Sequence, residues 1–303
     1  LKKRQLGHSD LYVSELGLGC MSIGIDEKAA IQIIETALEE GINYFDTADL
    51  YDMGENEKLV GKALKKVRDQ VIIATKVGNR WKPDKTGWTW DPSKAYIKEA
   101  VKDSLKRLGT DYIDLYQLHG GTIQDPIDET IAAFEELQAE GLIRYYGISS
   151  IRPNVIREYV KKSNLVSVMM QYSMLDRRPE EEVLPLLKEH GISVVTRGPV
   201  AKGLLSDKLL EKASTSGYLD YSLQELQEIL PLLKQKLAAT RPFAEVALQY
   251  NLANPAVASV VTGASSPEQV RQNAAAVRSR LLSEDELAII KKFTKANTYK
   301  EHR

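Results

Sequence analysis

The chain has 303 residues, enough for one barrel or two smaller domains, with the hydrophobic and charged fractions of an ordinary soluble globular protein. A formal net charge of −1 offers no field to draw in DNA, RNA or an anionic membrane surface, so neither nucleic acid nor membrane is expected as a partner. Cys20 is the single cysteine, which excludes an internal disulfide framework and a cysteine-ligated zinc site and fits a reducing, cytoplasmic setting.

The basic opening around Lys2, Lys3 and Arg4 is not followed by an apolar stretch of signal-peptide length. Two short extended segments come first, around Lys3–Leu6 and Tyr12–Glu15, joined by the turn-prone residues Gly7, His8, Ser9 and Asp10. Short apolar runs then recur as strand candidates: Leu16–Cys20, Ile42–Asp46, Val71–Lys76, Tyr112–His119, Ile143–Ser149, Val166–Gln171, Ser193–Arg197 and Val257–Thr262. Between them lie stretches with apolar residues at three- and four-residue steps, among them Lys28–Glu40, Ser93–Leu108, Ile127–Glu140, Pro179–His190 and Pro242–Ala253. Asp26 and Ser93 are expected to cap helix starts; Gly41, Gly109, Gly141 and Gly191 stand where a left-handed residue ends a helix.

Near-continuous apolar strands separated by helices imply a parallel sheet buried on both faces, and eight such units close a barrel. The expectation is an α/β fold, a (β/α)8 TIM barrel, forming one domain over residues 1–303. It carries an N-terminal β-hairpin, a long loop after the seventh strand (Val200–Gln235) and a C-terminal tail (Leu281–Arg303). Specificity in such a fold resides in the loops after the strands, here Val77–Pro92, Gly120–Asp125 and Val200–Tyr221.

Chemistry in a β/α barrel sits at the C-terminal strand ends. The second candidate strand ends in Asp46, with Tyr51 just beyond it; the third ends in Lys76 and the fourth in His119. Each alone has a bland reading as a cap, a solvated lysine or a satisfied core histidine. Together on consecutive strands they form one device. A free phenol, with a pKa of about 10, donates its proton sluggishly at neutral pH, whereas a neighbouring ammonium stabilises phenolate. Lys76 is the candidate ammonium for Tyr51, Asp46 the carboxylate that keeps it charged, and His119 a donor that orients the substrate oxygen.

Five ordered segments, Leu16–Met21, Gly41–Tyr51, Leu108–His119, Gly141–Ser149 and Thr262–Asn273, resemble the aldo-keto reductases, in the bacterial branch that is also similar to the potassium-channel beta subunits. The resemblance implies an NAD(P)H-dependent oxidoreductase that reduces small aldehydes or ketones, most simply as a monomer. It places Asp46, Tyr51, Lys76 and His119 on the catalytic tetrad, with Tyr51 as proton donor. It also implies cofactor contacts at Gly19, Cys20, Met21 and Asp46; at Ser149 and Gln171 for the carboxamide; and at Arg197 for the nicotinamide face. Gly198, Pro199, Val200, Lys202, Gly203 and Lys208 match the segment around the pyrophosphate, and Gly263, Ser265, Gln269, Gln272 and Asn273 match the adenosine end. A helix starting near Pro267 suits an anion there. No Rossmann-type glycine loop follows any strand.

The chain departs from the family at three places. Ser150 replaces an asparagine, Arg197 an aromatic, and Gly263 and Gln269 stand where other branches carry a lysine and an arginine on the 2′-phosphate. NADP(H) is the expected cofactor, because Gly263, Ala264 and Ser265 follow the channel-subunit pattern and Lys202, Lys208 and Arg271 supply charge. Trp81, Trp88 and Trp90 either line the substrate pocket or pin their loop, while Met169 and Met170 read as core. The alternative to an enzyme is an NADP(H)-binding regulatory protein with little turnover. A barrel metal hydrolase would need more ligands than His119 and Asp46, so no metal is expected.

Overall fold

The computed structural model describes residues 1–303. In chain order, strands β1 (Lys3–Gln5) and β2 (Tyr12–Ser14) form an antiparallel hairpin, and β3 (Leu16–Gly19) enters the barrel. There follow α1 (Glu27–Glu39), β4 (Tyr44–Asp46), α2 (Glu55–Leu64), β5 (Ile72–Val77), the hairpin β6 (Asn79–Trp81) and β7 (Trp88–Trp90), then α3 (Lys94–Leu108) and β8 (Ile113–Leu118). The second half runs α4 (Ile127–Ala139), β9 (Ile143–Ser149), α5 (Pro153–Lys162), β10 (Ser167–Gln171), α6 (Val183–Glu189), β11 (Ser193–Arg197), α7 (Leu223–Leu237), α8 (Phe243–Ala253), β12 (Val257–Gly263), α9 (Pro267–Arg278) and α10 (Glu284–Phe293). Strands β3, β4, β5, β8, β9, β10, β11 and β12 pair in parallel in that order, and β12 closes on β3 through Val260 to Leu16 and Gly263 to Gly19.

Two apolar layers hold the barrel. The outer one packs helices on strands, with Ile33, Val60, Ile97, Phe134 and Val246 fully buried. The inner one fills the barrel with Tyr44, Leu115, Met169, Val195 and Val261, and the first hairpin plugs its floor with Leu6, Leu11 and Val13. The open end therefore lies opposite, where the strands finish. Helix α2 approaches α3 so closely at Gly61 that a Cβ there would sit 2.1 Å from the Leu108 carbonyl oxygen. No helix is long and apolar enough to cross a membrane.

The eight barrel strands and the first hairpin lie where the periodicity puts them. Asp26 and Ser93 accept bonds from Ala29 and Tyr96 as caps, and Gly41, Gly109, Gly141 and Gly191 have positive φ. Four segments differ. The single helix expected over Pro179–His190 is a 3-10 turn at Arg178–Glu180 followed by the shorter α6. Pro185 has no N–H to give, so the helix can only begin around it. The stretch Val200–Gln235 is not a continuous loop, because Ser222 and Glu225 form a capping box that starts α7. The tail likewise contains α10, started by Ser283 and Glu286. The loop after β5 folds into the β6–β7 hairpin, in which Trp81 pairs with Trp88.

Candidate active site

At the open end a cavity of about 660 Å³ is walled by Gly19, Met21, Asp46, Tyr51, Lys76, His119, Ser149, Arg197, Gly198 and Gly263, all ten singled out from the sequence. Asp46 and Lys76 stand at the ends of the adjacent strands β4 and β5, whose register pairs Asp46 with Ala74. Both are buried. The Lys76 ammonium uses its three donors on three acceptors: Asp46 Oδ1 at 2.5 Å, the Thr47 carbonyl at 2.8 Å and the Tyr51 hydroxyl oxygen at 3.2 Å. Gln117 Nε2 donates to the other Asp46 oxygen at 3.2 Å.

Burial alone would lower the lysine pKa, but the Asp46 carboxylate and the Tyr51 oxygen beside it hold it above its ordinary value. The ammonium stays charged. The Tyr51 oxygen accepts from Lys76, and the phenolic proton has no protein acceptor. The geometry leaves that proton to whatever occupies the cavity.

His119 follows β8, its N–H bonded to the Val77 carbonyl at 2.8 Å. Its ring lies edge-on to that of Tyr51, centroids 6.0 Å apart. Burial, then the charges of Lys76 and Arg197, push its pKa down to about 3, so the imidazole is neutral at any physiological pH. Nδ1 is buried and has no partner in the protein. A neutral ring donates from one nitrogen only, which suits it to orient an uncharged oxygen.

The segment between β4 and α2 carries Tyr51. Thr47 and Asp49 give their N–H groups to Ala74 and Lys76 carbonyls, and Asp52 and Met53 have φ of 49° and 54°. Such left-handed backbone costs energy in residues other than glycine and persists where surrounding contacts demand it. Asn56 supplies one: wholly buried, it donates to the Cys20 carbonyl at 2.8 Å and accepts from the Thr47 hydroxyl at 2.6 Å. Glu57, equally buried, holds Thr75 Oγ1 at 2.6 Å and the Arg107 guanidinium at 2.6 Å. Neither residue was singled out from the sequence. Their signal there is a polar pair on the inward side of an amphipathic helix, at positions where apolar residues belong.

A nicotinamide dinucleotide can be tested against the remaining wall. A Cβ on Gly263 would meet Ser22 Oγ at 2.5 Å, so that stretch presents bare backbone. Ser266 caps α9 and Pro267 opens it, leaving free N–H groups at a positive dipole end. Gln269 Oε1 accepts from Ser265 N–H at 2.8 Å and from its hydroxyl at 3.2 Å, which leaves the Gln269 amide nitrogen unengaged. The Gln171 amide is fixed by donating to Asp176 at 2.8 Å and accepting from Arg197 at 3.2 Å. These neutral donors, glycine walls and helix start fit a dinucleotide.

Other residues singled out from the sequence lie off the main cavity wall. The Cys20 side chain is buried, its carbonyl bonded to Asn56. Pro199, Val200, Lys202, Gly203 and Lys208 continue the chain from Gly198, with Lys202 in left-handed backbone at φ 57°. Gln272 bonds Glu268, and Asn273 bonds Thr262 Oγ1 at 3.1 Å. Met169 belongs to the barrel interior and also touches the cavity. None of the three tryptophans lines it. Trp90 instead pins its hairpin, donating to Asp125 at 3.0 Å and packing where side chains on Gly78 would stand. No group of three or more His, Cys, Asp or Glu is arranged to hold a metal ion.

Residues 15–295 match the model of the aldo/keto reductase family. The chain is 61% identical to the uncharacterized oxidoreductase YqkF of Bacillus subtilis (strain 168) over 100% of both chains. It is 34% identical to the NADH-specific methylglyoxal reductase of Escherichia coli (strain K12), covering 94% of this chain and 96% of that one. The holo form of aldo-keto reductase AKR11C1 from Bacillus halodurans superposes with a TM-score of 0.95 at 64% identity, over 100% of this chain and 99% of that one.

Proposed function

The chain belongs to the aldo-keto reductase family of oxidoreductases, and from that premise we propose that it reduces the carbonyl group of small aldehydes or ketones with NADPH, Tyr51 giving the proton. Residues 1–303 act in this reading as one barrel domain. The observation that carries it is the Lys76 ammonium, 3.2 Å from the Tyr51 oxygen and 2.5 Å from Asp46 in the floor of the cavity.

Reduced nicotinamide, when bound, supplies hydride to the carbonyl carbon. The chain's own residues do the rest. Neutral His119 donates to the carbonyl oxygen and orients it. Tyr51 transfers its proton to that oxygen as negative charge grows there, and the phenolate left behind is stabilised by Lys76. Asp46 keeps the lysine charged, and Gln117 keeps Asp46 in place. Ser149 and Gln171 would hold the carboxamide, Arg197 would stand beside the nicotinamide, and the Gly263 wall with the start of α9 would receive the adenosine end. Arg271, which makes no ion pair, and the free Gln269 amide favour the additional phosphate of NADPH.

The test is separate titration with NADPH and NADH, followed by turnover of a carbonyl panel with the tighter one. Expected are tighter NADPH binding and steady oxidation of the cofactor. Equal or tighter NADH binding would overturn the cofactor choice. Tight binding with no turnover of any carbonyl would replace the enzyme by a cofactor sensor.

A further inference from the structure

The cavity holds one acidic side chain, Asp46, and that one is taken up by Lys76 at 2.5 Å. Two further cations line it, Arg152 and Arg197, and neither makes an ion pair. Arg197 belongs to the wall that continues into Gly198 and bonds Gln171, the side given above to the cofactor. Arg152 follows β9, separated from Arg197 at the end of β11 by the strand β10, and stands with Gly120 and Gly121, which follow β8.

Arg152 is placed from both ends. Its backbone is extended, at φ −107° and ψ 106°, as a residue preceding proline must be, and its N–H donates to Ser150 Oγ at 3.1 Å. Its guanidinium reaches across to the Gly121 carbonyl, 2.6 Å from Nη1. The carbonyl engages one of five N–H donors and the rest have no protein acceptor. A half-buried guanidinium that is anchored yet carries no counter-ion is a fixed fork aimed at a planar anion. Arg152 and Ile151 also line a second cavity of about 670 Å³ beside the C-terminal tail, where Lys300 and the Asp176-paired Arg178 are matched by Asp220 and Glu301, so that Arg152 is the unpaired cation shared by the two. A ligand that reaches from the first cavity into the second passes Arg152.

We infer that the carbonyl substrates of this site carry a carboxylate, which Arg152 binds while the carbonyl group faces Tyr51 and His119. The inference rests on the reductase reading for the carbonyl end and on Arg152 alone for the anionic end. It also assigns a role to Ser150, whose hydroxyl sets the backbone of the arginine.

Two measurements separate these parts. Calorimetric titration with 4-(hydroxymethyl)benzoate and with 4-methylbenzyl alcohol compares an anionic and a neutral product of one shape. Reduction of the two matching aldehydes compares the substrates. The anionic compound is expected to bind at least about tenfold more tightly, consistent with one charge-assisted bidentate pair. Arg152→Gln should abolish most of that preference, in binding and in kcat/KM alike, and Arg152→Lys should retain part of it. Equal binding of the two compounds to the native protein, or a preference that survives Arg152→Gln, overturns the inference. A preference that depends on Arg152 while neither aldehyde is reduced supports the anion site and refutes the reductase.

Discussion

Lys76 is the residue on which the chemistry turns, because its three donors are matched by a carboxylate, a carbonyl and a phenol with none to spare. Lys76→Met removes the cation that stabilises phenolate and strands Asp46, which is 4% exposed, without its counter-charge. Breaking a buried pair from one side costs about 3–5 kcal/mol, so this variant should be both inactive and markedly easier to unfold in denaturant. Full activity, or unchanged stability, would contradict the arrangement. Tyr51→Phe leaves the buried pair intact and should lose about 10²–10⁴-fold in turnover while binding cofactor normally. His119, pushed down to about 3, is neutral throughout the working range and should impose no inflection on the rate between about pH 5 and pH 8. A limb near the ordinary histidine value that disappears in His119→Gln would show the imidazole to be charged instead.

At the scale of elements, the segment joining β4 to α2 buries Asp49 near the Glu57–Arg107 ion pair, with Asp49 Oδ1 left without a partner. Burial, and then the nearby Glu57 carboxylate, raise the Asp49 pKa to about 8. Between the ordinary carboxylate range and about pH 8 the folded chain therefore holds a proton that the unfolded chain has released. This contribution is full at acid pH and is lost as pH rises through about 8. Asp49→Asn should remove the dependence, so that the variant melts about 2 °C or more above the native protein at alkaline pH and the gap closes towards pH 5. A gap independent of pH would mean that Asp49 is ionised throughout. Where α2 meets α3, Gly61→Ala drives a methyl into the Leu108 carbonyl and should destabilise by about 1–3 kcal/mol or more, measured by chemical denaturation.

For the whole molecule, the barrel was legible because parallel strands buried on both faces read as apolar runs, and helices between them read as amphipathic periods. Asp46, Lys76 and His119 were legible as polar residues closing apolar strands, and Tyr51 as the phenol within reach that such an ammonium would serve. The shared periods conceal other features. The capping boxes at Ser222 and Ser283 start α7 and α10 with a pattern as short as a loop turn, in stretches that the barrel repeat does not require. Pro185 shortens α6 through a missing donor that leaves the apolar spacing intact. Arg152 is ordinary in the sequence, since its meaning depends on Gly121, thirty-one positions earlier, and on the absence of an acid nearby. Asn56 and Glu57 show in the sequence only as a polar pair on the inward side of α2, and the partners they bond lie on other elements, which that pattern does not name.

The most direct test of the central claim is a single turnover with reduced nicotinamide deuterated at the transferable position, using the native protein and Tyr51→Phe. Deuterium is expected on the carbinol carbon of the product from the native protein, with the same transfer slowed by about 10²-fold or more in the variant at equal cofactor occupancy. Product without deuterium, or equal rates from the two proteins, would contradict that claim.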